Sequence, residues 1–525
     1  MKRKVKITIK IISFVLVFTL LLGCVNSLFK PKWLEDRWQS SKTDVSFYEL
    51  EKNSTDVLFY GSSVMAAAID PFQLYNEHGI SSYNLGVISQ TMSGTFFWVK
   101  ESLKTQKPKV IVVEVKTLGR MSDKLETKAR KSYDYMHLGL NKLQYAVETV
   151  NSSKYSEDVE ETDLWEYLFP LSLYHPRWSE LDYDDYNFVL GKNKSETKGY
   201  AALADTFRYS STYDQAADAE GDYDGFDKKV VETSEYNATN KSYVKRIAEF
   251  AKENNIELVL LRTPDTTWSV KKYNYVNNIA KEAGVKYLDM NLKSVRDKMG
   301  LDFSEDGADS IHMNIIGAKK VTSYLGDYLN KNYKLTNYKN GESAIKAHFE
   351  SEMDKYHLEI KSSELSMNRN LDNYLEAIND KDYSVILTAG SECGKMNFSE
   401  NQVKLLKKLN VNTDMLFHES EYGNNITFVS DNLEGDKIIN TLVEQDRYTT
   451  KTIHEGGRFS DGTSYAVDVA GGVCSVRINN NNCGDVYEDL MNIVVYNKKS
   501  KKVVDTVCLK NNSYGSVSIG RKGKG

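Results

Sequence analysis

Two short clusters in this chain bring together residue types able to do acyl chemistry. Gly61-Ser62-Ser63 follows directly on the apolar run Val57-Leu58-Phe59-Tyr60, and Asp309-Ser310-Ile311-His312 lies far downstream, just before a helical pattern that starts at Ile315. A serine hydroxyl is a weak nucleophile until a base takes its proton, and an imidazole serves as that base when another group fixes its tautomer. Asp309, three residues before His312, can supply that orientation. A nucleophile on a strand-to-helix turn stands at the carboxyl end of a sheet, where helix amides favour an anion. Each cluster alone is a common loop. What joins them is their order, serine after the first strand of an alternating region and DxxH before its last helix.

The elements that must position them read as one α/β domain over about 50–335. Strand-like runs Ser82-Tyr83-Asn84-Leu85-Gly86, Val110 to Val115, Ile256 to Arg262 and Val285 to Asp289 alternate with helical stretches. Lys109 to Val115 is continuously apolar and β-branched up to Glu114, which predicts a strand buried on both faces of a parallel sheet. An acidic, Tyr-rich region, about 121–240, reads as an insertion and holds the aromatic stretch LFPLSLYHPRWSEL. All six Pro and all six Trp lie at or before Trp268, so the second half is built from a different vocabulary. A polar stretch, 331–342, separates an accessory region at about 345–515. Strands are expected there at 358–360, 383–388, 426–429, 465–469, 476–478 and 492–496, with helices at 371–380 and 400–409. The end reads as a flexible basic tail over 521–524.

Composition removes several function classes. At 525 residues the chain is too long for one compact domain. Sixty-eight Lys and Arg against 73 Asp and Glu leave a net charge of −5, so no global field exists to hold a nucleic acid. Five Cys, with no CxxC or HExxH spacing, point to no metal and no cofactor, and no glycine-rich phosphate loop is present. Four of them, Cys393, Cys474, Cys483 and Cys508, fall in the accessory region, where two disulfides could form in any of three pairings. Within 1–30, the first ten residues carry five basic residues and no acid, an apolar run from Ile11 to Gly23 follows, and the first acid is Glu35. That order predicts a membrane anchor with the remainder outside the cytoplasm. Leu21-Leu22-Gly23-Cys24 also resembles a lipobox with Cys24 as the lipidated residue, and simple secretion is the third fate.

On Gly61-Ser62-Ser63, Asn84-Leu85-Gly86 and Asp309 to His312, the region 50–335 resembles the SGNH (GDSL-like) hydrolases. The resemblance implies a three-layer α/β/α fold with Ser63 as nucleophile, His312 as base, Asp309 as its orienting group, and the amides of Ser63 and Gly86 as oxyanion donors. The Gly-Ser-Ser form and the anchor look most like the extracytoplasmic branch that handles acyl groups on envelope polymers, which includes the teichoic acid D-alanine transfer and alginate O-acetylation proteins. It implies an O-acyltransferase or esterase acting on a cell-envelope polysaccharide or teichoic-acid-like polymer, beside a membrane-bound acyltransferase partner. The third family block, GxND, is absent: the strand runs into Glu114-Val115-Lys116-Thr117. Lys116, His175 and Arg177 are candidates to replace its Asn, and Tyr174 and Trp178 to line a sugar-sized cleft. The competing expectation is a glycan-binding or assembly protein that keeps the fold without the chemistry. The accessory region is similar to the interleukin-like EMT inducer domain, which implies carbohydrate or protein binding.

Overall fold

The computed structural model describes residues 2–34, 37–118, 125–154, 162–191, 194–206, 238–390, 395–432, 439–470, 473–483, 491–511 and 515–521. It divides into two compact units, Met1–Tyr356 and His357–Gly525.

The first unit begins with α1 (Lys2–Phe29), a 28-residue helix with neither acid nor proline. It stops before Lys30-Pro31, as the restriction on a residue preceding proline requires. After α2 (Ser40–Tyr48) comes a five-stranded parallel sheet: β1 (Val57–Gly61), β2 (Ser82–Gly86), β3 (Val110–Glu114), β4 (Glu257–Arg262) and β5 (Lys286–Asp289), in the order β2-β1-β3-β4-β5. Val57 to Tyr60 and Val110 to Val113 are completely buried, as their continuous apolar pattern demands of strands covered on both faces. Helices α3 (Ser63–Ala68), α4 (Pro71–His78) and α5 (Met92–Ser102) link the first three strands. Asp70 caps α4 by accepting from the amides of Phe72 and Gln73 at 2.9 and 3.2 Å.

The insertion between β3 and β4 is helical. It contains α6 (Leu125–Tyr133), α7 (Leu140–Lys154), α8 (Leu164–Leu168), α9 (Pro170–Tyr174), a 3-10 turn over His175–Ser179, and α10 (Tyr183–Val189). An extended strap, 194–206, then returns beneath the sheet edge, and 207–237 lies outside the described residues. The strap's Lys198 carbonyl accepts from Asn84 N at 3.0 Å, Ala201 N donates to Ala66 O at 2.8 Å, and its Leu203 carbonyl accepts from Ile315 N at 3.0 Å. Gly199 is obligatory there: it has φ +87, and a Cβ would come within 1.8 Å of the Asn84 carbonyl. The alternation resumes with α11 (Ala238–Glu253), α12 (Val270–Ala283), α13 (Lys293–Met299), α14 (Phe303–Asp306) and α15 (Ile315–Asn332). The last packs against α3 and α4.

Next comes α16 (Ala344–Met367), which overturns the strand expected at Leu358-Glu359-Ile360. Three apolar-leaning residues cannot outweigh flanks free of Gly and Pro and rich in Ala, Glu, Lys and Met. The second unit holds α17 (Leu371–Ile378), α18 (Glu400–Lys408) and α19 (Thr413–Leu416) with two antiparallel sheets. One has six strands, β15-β14-β13-β6-β7-β8, and the other four, β12-β11-β10-β9. Their ranges are β6 (Tyr383–Ala389), β7 (Asn424–Ser430), β8 (Ile439–Glu444), β9 (Thr452–Arg458), β10 (Ser464–Ala470), β11 (Val473–Ile478), β12 (Asn481–Asn482), β13 (Met491–Asn497), β14 (Lys502–Asn511) and β15 (Val517–Gly520). Cys474, Cys483 and Cys508 are buried free thiols, so no disulfide joins them, and Cys393 lies outside the described residues. The tail is tied down further than expected: Arg521 donates to Asp505 at 2.7 Å and to the Asn368 and Leu365 carbonyls. Residues 522–525 lie outside the described residues.

Candidate active site

Ser63 opens α3 at the carboxyl end of β1, one residue past the tight turn at Gly61-Ser62. A side chain at Gly61 would bring its Cβ within 2.7 Å of Glu114 Cβ on the neighbouring strand, which is why the turn needs glycine. The other cluster is a closed loop. Ala308 N donates to His312 O at 2.8 Å, Asn314 N to Asp306 O at 3.0 Å, and the Asn314 side chain caps α15 through the amides of Ile316 and Gly317.

The two clusters meet. His312 Nε2 lies 2.8 Å from Ser63 Oγ, and His312 Nδ1 lies 2.7 Å from Asp309 Oδ2. Because a carboxylate only accepts, Nδ1 carries the proton and Nε2 is left as the acceptor for the serine hydroxyl. The other Asp309 oxygen accepts from the amides of Ile311 and His312 at 2.8 and 2.9 Å. Burial works to raise the Asp309 carboxyl, but His312 and these two amides outweigh it and hold the group below its ordinary value. Trp38 packs on the imidazole with ring centres 5.2 Å apart. Nothing in the polar linker around Trp38 signals that position, which only the folded chain reveals.

Ser63 borders a cavity of about 300 Å³ that Ser62, Ser89, Gln90, Lys116 and Thr117 also line. Gly86 does not serve as expected. Its amide donates to Asn84 Oδ1 at 2.9 Å, because β2 ends in a turn closed by its own asparagine side chain. Three other groups on the cavity wall are buried without a hydrogen-bond partner among the described residues: Ser62 Oγ, Gln90 Nε2 and Thr117 Oγ1. Gln90 is fixed in orientation, since its Oε1 accepts from Gly61 N at 3.1 Å and so leaves Nε2 as the spare donor. Ser89 beside it holds a left-handed backbone, φ +58, a conformation that costs energy for a non-glycine residue. The sequence signal for Gln90 was present, an amide side chain just beyond the second block, but masked by the expectation attached to Gly86.

Behind the third block, where the family motif would place Asn, a buried ion pair organises the chain. Glu114 accepts from Arg262 at 2.6 Å and from Lys116 N at 3.1 Å, and Arg262 also contacts Asp265 and lies over the Trp268 ring. Burial raises the Glu114 carboxyl, with Arg262 opposing, and burial together with Arg262 lowers the Lys116 ammonium.

Lys116 thus reaches the cavity, whereas the expected insertion residues do not line it. Tyr174 is buried, and its hydroxyl donates to Asp134 at 2.7 Å. His175 is exposed and turned to the Ser172 carbonyl. Arg177 holds Phe29 and Asp185, and Trp178 faces outward. Arg177 reaches α1, and the elements that carry all four, α9 and the 3-10 turn, pack on its end. Among the described residues no group of three His, Cys, Asp or Glu side chains is arranged to hold a metal.

No family model matches the chain, and no curated protein matches it. Solved structures similar to it include a protein assigned to the G-D-S-L lipolytic family from Desulfitobacterium hafniense DCB-2, at 12% identity, covering 52% of this chain and 99% of that one with a TM-score of 0.26. A protein assigned as an acylhydrolase from Bacteroides fragilis NCTC 9343 gives 11%, 55%, 95% and 0.26, in the same order. A GDSL-like lipase from Bacteroides thetaiotaomicron VPI-5482 gives 9%, 56%, 100% and 0.25. Overlaps this weak leave the site to rest on its own geometry.

Proposed function

We propose that this chain is an SGNH-type serine enzyme that cleaves or transfers an O-acyl group, most simply acetyl, on a cell-envelope polysaccharide. The observation that carries this reading is the unbroken relay from Ser63 Oγ through His312 to Asp309 at the edge of a cavity. Ser63 attacks the acyl carbonyl while His312 Nε2 takes its proton, and Asp309 stabilises the imidazolium. The Ser63 amide receives the developing oxyanion, and Gln90 Nε2 and Thr117 Oγ1, buried and unpartnered behind the wall, are the side-chain donors that would turn to it in place of the absent third-block Asn and the Gly86 amide held by Asn84. His312 then protonates the leaving sugar oxygen. In the second half-reaction it deprotonates the acceptor, water for an esterase or a sugar hydroxyl for a transferase. Lys116 at the cavity wall suits an acceptor or donor carrying negative charge, whose approach would offset the burial and the Arg262 repulsion that lower its ammonium.

The anchor reading of α1 places this chemistry on the outer face of the membrane, beside an acyl-supplying membrane protein. The second unit is read as an accessory glycan-binding module on its sequence likeness and its two antiparallel sheets. The test is intact mass of the full chain in detergent after exposure to a fluorophosphonate, with Ser63→Ala and His312→Ala alongside. A single adduct lost in the first variant and slowed in the second supports the enzyme. No adduct on folded protein returns the chain to the glycan-binding reading.

A further inference from the structure

The last turn of α1 is gripped by the insertion. Arg177 Nη1 donates to the Phe29 carbonyl at 2.6 Å, and its Nη2 donates to Asp185 at 3.0 Å. Lys32, a buried lysine, donates to the Ser27 and Leu28 carbonyls at 2.9 and 3.1 Å and pairs with the same Asp185 at 2.8 Å. Lys30 donates to the Asp134 carbonyl, and the Tyr135 hydroxyl to the Pro31 carbonyl. Of the carbonyls that the helix end leaves without partners, those of Ser27 and Leu28 are satisfied by Lys32 just beyond it and that of Phe29 by Arg177 of the insertion, and α1 leaves the body of the unit at a set position.

The elements that hold α1, and α8 packed beside them on α9, also turn large apolar side chains outward. Trp165 and Phe169 at α8, Trp178 in the 3-10 turn, and Val189 and Leu190 at the end of α10 are exposed, Trp178 at 73% and Leu190 at 67%. Isolated exposed apolar residues need no explanation, but a concentration on adjoining short helices does. Of the acids there, Asp182 and Asp185 form the capping box of α10 and Asp185 also binds Lys32 and Arg177, whereas Glu180 and Asp184 are exposed, at the level of the charged headgroups.

We infer that α8 to α10 form an interfacial collar that dips into the headgroup region of the bilayer that α1 crosses. This rests on reading α1 as a span. The apolar stretch Val5–Phe29 has 25 residues, and at about 1.5 Å per residue it is ~37 Å long against a hydrocarbon core of ~30 Å. Phe29 therefore emerges in the polar boundary. Trp178 is the next residue after Arg177, which holds the Phe29 carbonyl, so it lies within about one side-chain length of that boundary, where Trp and Tyr are favoured. The occupant of this surface is lipid, because α9, the 3-10 turn and α10 pack against an apolar helix that nothing else among the described residues of the unit covers.

One consequence reaches the site. Trp38, which packs on His312, is nine residues beyond Phe29, and fully extended chain spans at most about 3.5 Å per residue. The catalytic imidazole is thus within ~32 Å of the point where α1 ends, plus one side-chain contact. A collar that fixes the tilt of the body holds the cavity at constant height above the lipid, which suits an acyl group or polymer that is itself membrane-borne.

The experiment uses the full chain in nanodiscs of phosphatidylcholine and phosphatidylglycerol, with or without phosphatidylcholine brominated on its acyl chains. Quenching of tryptophan emission is compared in wild type, Trp165→Phe, Trp178→Phe, the double variant and Trp268→Phe, whose ring lies in the core. The emission lost to bromination, in absolute intensity, should fall in each exposed-site variant, fall further in the double variant, and stay unchanged in Trp268→Phe, which removes only unquenched emission. Equal quenching in wild type and the double variant, with the chain still travelling with the discs, overturns the collar. A chain that does not travel with the discs at all overturns the anchor reading, and the collar with it. Fluorophosphonate labelling in the same samples reports separately on the enzyme reading.

Discussion

Replacing Asp309 separates orientation from charge. In Asp309→Ala the imidazole loses the partner that holds Nδ1 and the negative charge that stabilises it when protonated. The charge centres sit about 4 Å apart, so the interaction is worth about 1 kcal/mol at the dielectric of water and about 4 kcal/mol at an effective value of 20. The Asp309 side chain is 51% exposed, which places the cost between these limits, an about 5- to 10³-fold fall in kcat. Asp309→Asn should be worse than alanine. Its oxygen is needed by the amides of Ile311 and His312, so the amide nitrogen must face Nδ1. That forces the proton onto Nε2, the atom that has to accept from Ser63. The assay is hydrolysis of an activated acetyl ester under single-turnover conditions at several pH values, with Ser63→Ala as background. Asparagine equal to or faster than alanine would refute the tautomer argument, and both variants at wild-type rate would remove Asp309 from the mechanism.

Gln90→Glu keeps the acceptor for Gly61 N but removes the spare donor, and Thr117→Val removes a hydroxyl at constant shape; each should lower kcat by about 10²–10³ with KM little changed in the same ester assay. Trp38→Ala should cost about 2- to 12-fold in kcat/KM, the worth of one aromatic contact that steadies the imidazole, without lowering the thermal midpoint appreciably. Asp70 is fully buried, and burial raises its carboxyl to about 6 despite the Tyr356 hydroxyl and two amides that bind it. Since the folded value exceeds the unfolded one, stability present below pH ~4 is lost as pH rises towards 6, at most about 3 kcal/mol. Asp70→Asn, which still caps α4, should flatten that decline in urea titrations run from pH 4 to 7.

The parallel sheet was legible because β1 and β3 are apolar on both faces, a pattern no exposed helix shares, and because Pro108 and the glycines punctuate it. The relay was legible for a different reason: its residues lie on two local turns, and the sheet must bring such turns together at one edge. Gly86 misled because sequence shows that a glycine is present but not that Asn84 captures its amide. The α16 region misleads because Leu358-Glu359-Ile360 has a strand-like pattern while the helix formers on both sides decide the element. The aromatic stretch of the insertion was assigned to the cavity by composition alone, and only packing against α1 could redirect it.

The strap at 194–206 has a consequence for how the protein is made. It hydrogen-bonds to Asn84 and Ala66 beside the nucleophile and to Ile315 just past the base, so three chain regions close together at one place. A nascent chain that has exposed Ser63 holds an inert hydroxyl, and it stays inert through synthesis of the whole insertion and the strands that follow. Contacts of such long sequence separation form late and slowly. On the proposed reading, Ser63 meets His312 only in a nearly finished unit, because the relay needs both the strap and the last helix in place.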